Sequence, residues 1–246
     1  MCIYGTGGSG KTTLAALAPG PVRFIDLEDR VGKLYAAGKF GTRVVSAVPG
    51  VETYQDVMDA LRQDELWTDI RTVVLDSATR IEGLMGPYVC ANMPAEKGRL
   101  VKNLQDYGWG HGDIYLYEEW GRFLAAMDNH ARRGRNVILI AHDCVTEAPN
   151  PNGLTYERWE PRLTDPKKGK NSLRAATKEW ADDLLAILYD RTVTQDGKGE
   201  GSGSRAIYPT EYATCMAKSL TLSNPIIYTE GDDALWRAMF PAGYAG

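Results

Sequence analysis

The run Gly5-Thr6-Gly7-Gly8-Ser9-Gly10-Lys11-Thr12 constrains this chain more than any other feature. It stands directly after an apolar stretch, Cys2-Ile3-Tyr4, and before Thr13-Leu14-Ala15-Ala16-Leu17-Ala18, which is good helix material. Strand, glycine-rich loop and helix in that order make a phosphate-binding loop. The glycines let the backbone turn tightly and aim successive N–H groups at an anion. Lys11 brings a positive charge to the β- and γ-phosphates, and the Thr12 hydroxyl is suited to hold Mg²⁺. The helix that follows adds the partial positive charge of its N-terminus. Gly5, Thr6, Gly7, Gly8, Ser9, Gly10, Lys11, Thr12 and Thr13 are thus the expected binding residues for a nucleoside triphosphate.

The rest of the chain continues the alternation that such a loop demands. Apolar strands are predicted at 22–28, 43–48, 71–77 and 136–142, with helices at 52–64 and 118–133. Residues 83–117 are rich in Gly, Tyr and Trp and poorly periodic, and read as a long loop or partly helical insertion. Residues 143–172 carry Pro149, Pro151, Pro161 and Pro166 among many charges and read as a mobile loop. From Lys178 a helical stretch runs into a strand at 184–189. A Gly/Ser-rich connector at 195–204 then leads to a strand at 206–208, and a short helix is expected at 232–240. The pattern predicts one α/β domain with a mainly parallel sheet covered by helices on both faces. Its core spans about residues 1–190, and a C-terminal β-hairpin and tail occupy about residues 191–246.

Composition narrows the function classes. Hydrophobic content of 43% and charged content of 24% are those of an ordinary globular protein, and no apolar stretch approaches a membrane span. Net charge is −4, so any nucleic-acid contact has to come from a local basic patch. Cys2, Cys90, Cys144 and Cys215 form no Cys-x-x-Cys pair, which predicts reduced thiols in a cytoplasmic setting and no disulfide partner. His142 and Cys144 lack a second ligand pair and do not make a metal site.

Three strand-end residues extend the reading from binding to chemistry. Asp76 ends a strand of apolar residues and fits the carboxylate that shares Mg²⁺ with Thr12. The next residue is Ser77 rather than a glutamate, so the general base has to come from elsewhere. Glu28, at the C-terminal end of the strand after the loop helix, is the candidate, with Asp26 and Asp29 as near competitors. His142 ends the 136–142 strand, where a polar side chain can hydrogen-bond a phosphate oxygen and report its loss, or simply cap the strand.

Phe24-Ile25-Asp26-Leu27-Glu28, Val73-Val74-Leu75-Asp76-Ser77 and Val137-Ile138-Leu139-Ile140-Ala141-His142, in this order after the loop, resemble the RecA-like recombinase core. The chain looks most like phage-encoded RecA-like P-loop ATPases, including the Sak-type single-strand annealing group. The likeness extends to Tyr107-Gly108-Trp109-Gly110 and Ala217-Lys218. It implies hydrolysis of ATP with Mg²⁺, Glu28 as base, a homo-oligomer with ATP near a subunit boundary, and single-stranded DNA as partner in phage recombination or replication. For a phage protein the compartment is the host cytoplasm. The chain departs from the pattern in two places. His142 stands where the bacterial recombinases carry glutamine. Ala217-Lys218-Ser219-Leu220 replaces Ala-Lys-Asp-Arg, leaving Lys218 or Arg205 as the cation acting in trans. The first strand opens at the start of the chain, so the N-terminal assembly strand of related proteins is not expected.

Arg158, Arg162, Lys167, Lys168, Lys170, Arg174 and Lys178 lie in one segment after the His142 strand, where nucleotide-gated DNA loops sit in that core. Tyr156 and Trp159 within it, and Tyr107, Trp109 and Tyr115 in the earlier insertion, offer rings on which bases stack, at about 1–3 kcal/mol per base. The alternative reading of the segment is a solvated lysine-rich loop. Two other functions stay open: a nucleotide-switched interaction protein that never touches DNA, and a small-molecule P-loop kinase using the basic loop as a lid.

Overall fold

The computed structural model describes residues 1–241 except 96, 97, 100, 151, 167–170, 191, 194–198 and 201–202, with backbone alone at 192, 193, 199 and 200. Its elements in chain order are β1 (Cys2–Gly5), α1 (Lys11–Ala16), β2 (Val22–Asp26), α2 (Val31–Ala36), β3 (Val45–Ala47), α3 (Tyr54–Arg62), β4 (Thr72–Asp76) and α4 (Ala78–Asn92). Then come α5 (His111–Arg132), β5 (Asn136–Ala141), β6 (Asp143–Ala148), β7 (Tyr156–Pro161), α6 (Leu173–Trp180), β8 (Leu184–Tyr189), β9 (Thr192–Val193), β10 (Gly199–Glu200), β11 (Arg205–Tyr208), β12 (Ile226–Tyr228) and α7 (Ala234–Met239).

The main sheet has eight strands in the order β12-β11-β8-β1-β5-β4-β2-β3. All neighbours from β8 to β3 run parallel, and β11 and β12 add an antiparallel edge. Alternation along each central strand explains why the sheet is covered on both sides. Val73 and Leu75 of β4, with Val137 and Leu139 of β5, enter the same core as Trp67, Trp120, Phe123 and Met127. Val74, Ile138 and Ile140 point the other way, into the core holding Leu14 of α1 and Trp236 of α7. Successive side chains of a strand face opposite sides, and both sides here are apolar, as a parallel sheet between helices requires. The α/β P-loop architecture expected from the sequence is what the chain adopts.

Two segments refine or correct the expectation. Residues 83–117 take the partly helical of the two readings: α4 runs to Asn92 through Pro87, and α5 begins at His111. Ile81, Met85 and Val89 are buried at spacings of four, one stripe that outweighs the local breakers. Residues 143–161 form a hairpin rather than a mobile loop. β6 and β7 pair in register from Asp143↔Pro161 to Ala148↔Tyr156. Pro149 lies in the turn and Pro161 at the end of β7, so neither removes a ladder hydrogen bond from the middle of a strand. The hairpin is tied to the main sheet where the Tyr4 hydroxyl donates to Met216 O at 2.6 Å and Trp159 O at 3.0 Å.

β1 reaches the phosphate loop through Gly5, which lies opposite Ile187 of β8. A Cβ on Gly5 would come within 2.4 Å of the Ile187 carbonyl oxygen, a backbone atom that cannot swing aside. Gly5→Ala is therefore expected to push β1 and β8 apart and to destabilise the fold by about 1–3 kcal/mol. A thermal melt reads this directly, at about 2–4 °C per kcal/mol for a chain of this size. An unchanged melting temperature would contradict the close approach.

Candidate functional site

Parallel pairing puts the C-terminal ends of β1, β5, β4 and β2 along one edge of the sheet, with Tyr4 level with Ala141 and Asp26 level with Asp76. The phosphate loop, His142, Asp76 and Glu28 are therefore brought together from four separate segments. β5 lies between β1 and β4, so His142 emerges between the loop and Asp76.

The loop itself is built for an anion. Gly8 and Gly10 take positive φ values of 77° and 86°, where a side chain is disfavoured. Ser9 is fully buried, and its Oγ has no hydrogen-bond partner. Lys11 is buried and folds back to donate to Gly5 O at 2.7 Å and Thr6 O at 2.9 Å. Burial pushes its ammonium down to about 8, against the opposing pull of Asp76 and Asp143. Both Lys11 and Ser9 are poised to gain from an incoming phosphate oxygen.

Across the gap, the Thr12 hydroxyl donates to Asp76 Oδ2 at 2.6 Å. Asp76 is 1% exposed. Burial raises its carboxyl to about 6 despite the Thr12 hydrogen bond, and the nearby Glu28 and Asp26 charges add to the rise. A cavity of about 330 Å³ opens beside these groups, lined by Gly8, Gly10, Lys11, Thr12, Thr13, Arg30, Lys33, Leu34 and Glu230.

Glu28 is the best-connected acid on this edge. Its Oε1 accepts from Ser77 Oγ at 2.7 Å and lies 2.8 Å from His142 Nε2; its Oε2 lies 2.8 Å from the Arg30 guanidinium. Burial works to raise the carboxyl, but Ser77, His142 and Arg30 together prevail and hold it below its ordinary value. Asp26 plays another part: its carboxylate accepts the backbone N–H of Glu28 at 3.3 Å and of Val31 at 2.7 Å. That fixes the turn between β2 and α2, in which Asp29 has a φ of 53°. Asp26 thus orients Glu28 through the main chain.

Three residues of this site carry no signal in the sequence reading above. Arg30 and Glu230 line the cavity, and Ser77 appeared there only as the absence of a glutamate. A usable clue existed for Arg30, an arginine two residues beyond the strand-end acid. None existed for Glu230, more than two hundred residues from the loop it meets, where its Oε1 lies 3.4 Å from Thr13 Oγ1.

Other expected residues fall elsewhere. Arg205 lies against its own phosphate loop: its Nη1 is 3.4 Å from Gly8 O, and its guanidinium sits over the rings of Tyr189 and Tyr228. In its own chain it braces the loop. Lys218 bridges to Leu184, which is level with Cys2, so it lies at the far edge of the sheet from the loop. Arg174 is buried and ion-pairs with Glu160 and Asp165 while donating to the Pro161 and Leu163 carbonyls. It is an internal strut of the hairpin. Trp159 is partly buried against the core. Arg158 and Lys178 both pair with Glu211, Arg158 also with Glu160. Lys167, Lys168 and Lys170 lie outside the described residues. Tyr107 is buried, whereas Trp109 stands 98% exposed.

The four cysteines are free thiols, and among the described residues no helix is long and apolar enough to cross a membrane. No curated protein matches the chain. A family model described as AAA domain matches residues 1–219, a span that contains the phosphate loop, Glu28, Asp76 and His142.

The raised carboxyl of Asp76 has a pH signature. Between about 4 and 6 the folded chain binds this proton more tightly than the unfolded chain does, so the contribution of Asp76 to stability falls as pH rises through that window. A cation held between Thr12 and Asp76 would need the ionised form. The Mg²⁺-dependent part of nucleotide affinity is therefore expected to weaken as pH is lowered through about 6. Titrating a fluorescent nucleotide with and without Mg²⁺ across that range checks this. Asp76→Asn should lose the Mg²⁺-dependent part at every pH.

Proposed function

This chain belongs to the AAA domain family of P-loop nucleoside triphosphatases, and we propose that it is a Mg²⁺-dependent ATPase in which Glu28 activates water. The observation that carries the proposal is the convergence of the Glu28 carboxylate and the Thr12–Asp76 pair on the edge that bears the phosphate loop.

In this reading the triphosphate lies along Gly5–Thr13, and Lys11 exchanges the Gly5 and Thr6 carbonyls for phosphate oxygens. The hydroxyl of Thr12 and the carboxylate of Asp76 are hard oxygen donors that fit Mg²⁺. A pair of protein oxygens leaves the remaining positions of such a cation to phosphate oxygens and water. When bound, Mg²⁺ supplies charge neutralisation at the phosphate oxygens. Glu28 takes a proton from water as the water oxygen bonds to the terminal phosphorus, and the bond to the ADP oxygen breaks. Ser77 aims the carboxylate. His142 shares it and is followed directly by β6, so a change at Glu28 passes into the β6–β7 hairpin.

The partner divides two readings. A RecA-like protein of the Sak-type group, working as a homo-oligomer, acts on single-stranded DNA, and Lys167, Lys168, Lys170 with the exposed Arg162 and Trp109 are candidates for that role. A nucleotide-switched interaction protein is the second reading. It is favoured by the way Arg158, Arg174 and Lys178 are engaged with Glu160, Asp165 and Glu211 within the chain.

Glu28→Gln is expected to leave ATP binding intact while turnover falls by about 10²–10⁴-fold. Unaltered turnover would move the base to another residue, and phosphate release with water as the sole acceptor removes the kinase alternative. For the partner, ATP hydrolysis is measured with and without a single-stranded oligonucleotide. Stimulation that fades steeply with salt and is lost on charge reversal at Lys167, Lys168 and Lys170 supports DNA. A rate indifferent to the oligonucleotide supports the protein-partner reading.

A further inference from the structure

Arg30 belongs to the turn that also carries Glu28, and the geometry around it goes beyond an ordinary surface ion pair. The guanidinium is 2.8 Å from Glu28 Oε2. The same side chain lines the cavity formed with Gly8, Gly10, Lys11 and Thr12, so it stands between the proposed base and the place where phosphates bind. Its backbone is not free to drift, because the Asp26 carboxylate pins the N–H groups of Glu28 and Val31 on either side of it. Its side chain is 41% exposed against 15% for Glu28, which leaves the guanidinium room to change partner while the carboxylate stays in place.

A terminal phosphoryl group brings more negative charge than one carboxylate, and a guanidinium is always protonated and suited to bidentate contact with phosphate oxygens. We propose that Arg30 is a catalytic residue supplied by the chain to its own active site. When ATP binds, its guanidinium leaves Glu28 for the oxygens of the terminal phosphoryl group. The move has two effects. It neutralises charge on the phosphoryl oxygens as the bond to ADP breaks, and it frees one oxygen of Glu28 to take the proton from the attacking water. ADP lacks the terminal group, so Arg30 returns to Glu28 after phosphate leaves. A cation for the chemical step is then supplied from within the chain itself.

This inference rests on Glu28 being the base, and its test separates the two. Single-turnover hydrolysis of saturating ATP is measured for the full chain and for Arg30→Ala, Arg30→Lys and Glu28→Gln, alongside binding of ADP and of the β,γ-imido analogue of ATP. Arg30→Ala is expected to slow the chemical step by about 10²–10³-fold. It should weaken the imido analogue while leaving ADP affinity unchanged, and Arg30→Lys should recover part of the rate. A rate in Arg30→Ala close to that of the unaltered chain overturns the proposal, as does equal weakening of ADP and the imido analogue. If Glu28→Gln turns over normally, the reading of Glu28 fails instead. Collapse of Glu28→Gln with normal turnover in Arg30→Ala removes Arg30 alone.

Discussion

The site depends on parallel register across four strands. Because β1, β5, β4 and β2 run in the same direction and end level with one another, a loop, a histidine and two acids from distant segments meet on one edge. Each strand is pinned from both faces by apolar side chains. A slip of one residue would exchange the two cores and turn Asp76 away from Thr12. The 2.6 Å hydrogen bond between those two residues is possible only in the register observed.

Within that frame the charges are arranged in opposition. Lys11 is buried and its ammonium is pushed down, Asp76 is buried and its carboxyl is pushed up, and each is held short of its comfortable charged state. Glu28 is the exception, with Ser77, His142 and Arg30 keeping it ionised. Without ligand, the loop and the Asp76 carboxylate are the ill-satisfied groups and the proposed base is the satisfied one. A polyanion with a cation would offer Lys11 and the Asp76 carboxylate the opposite charges they lack.

Much of this was legible in the sequence because single strands carried it. Phe24-Ile25-Asp26-Leu27-Glu28 and Val73-Val74-Leu75-Asp76 are apolar runs ending in acids, and a parallel sheet delivers such ends to one edge whatever lies between them. The α4 helix was hidden because Gly83, Gly86 and Pro87 interrupt its local pattern, although Ile81, Met85 and Val89 still form a buried stripe. The β6–β7 hairpin was hidden by its prolines, which sit at the turn and strand end and read as breakers. Buried cations misled in the same way: Arg174 looks like part of a basic patch until Glu160 is seen beside it. Glu230 depends on a contact between distant segments, which no spacing rule encodes, whereas Arg30 stood two residues beyond Glu28 and could have been singled out.

The phosphate loop is also held by the far end of the chain. The hydroxyl of Tyr228 donates to Gly10 O at 2.9 Å, and the Trp236 indole donates to Leu14 O at 2.8 Å, so β12 and α7 clasp the loop and its helix from behind. During synthesis the loop is made before its clasp. A nascent chain could gather its inner strands long before its nucleotide pocket became rigid, and tight binding would await the residues around 226–239. Ribosomes paused before that stretch would display a chain whose loop and first helix lack the Tyr228 and Trp236 hydrogen bonds.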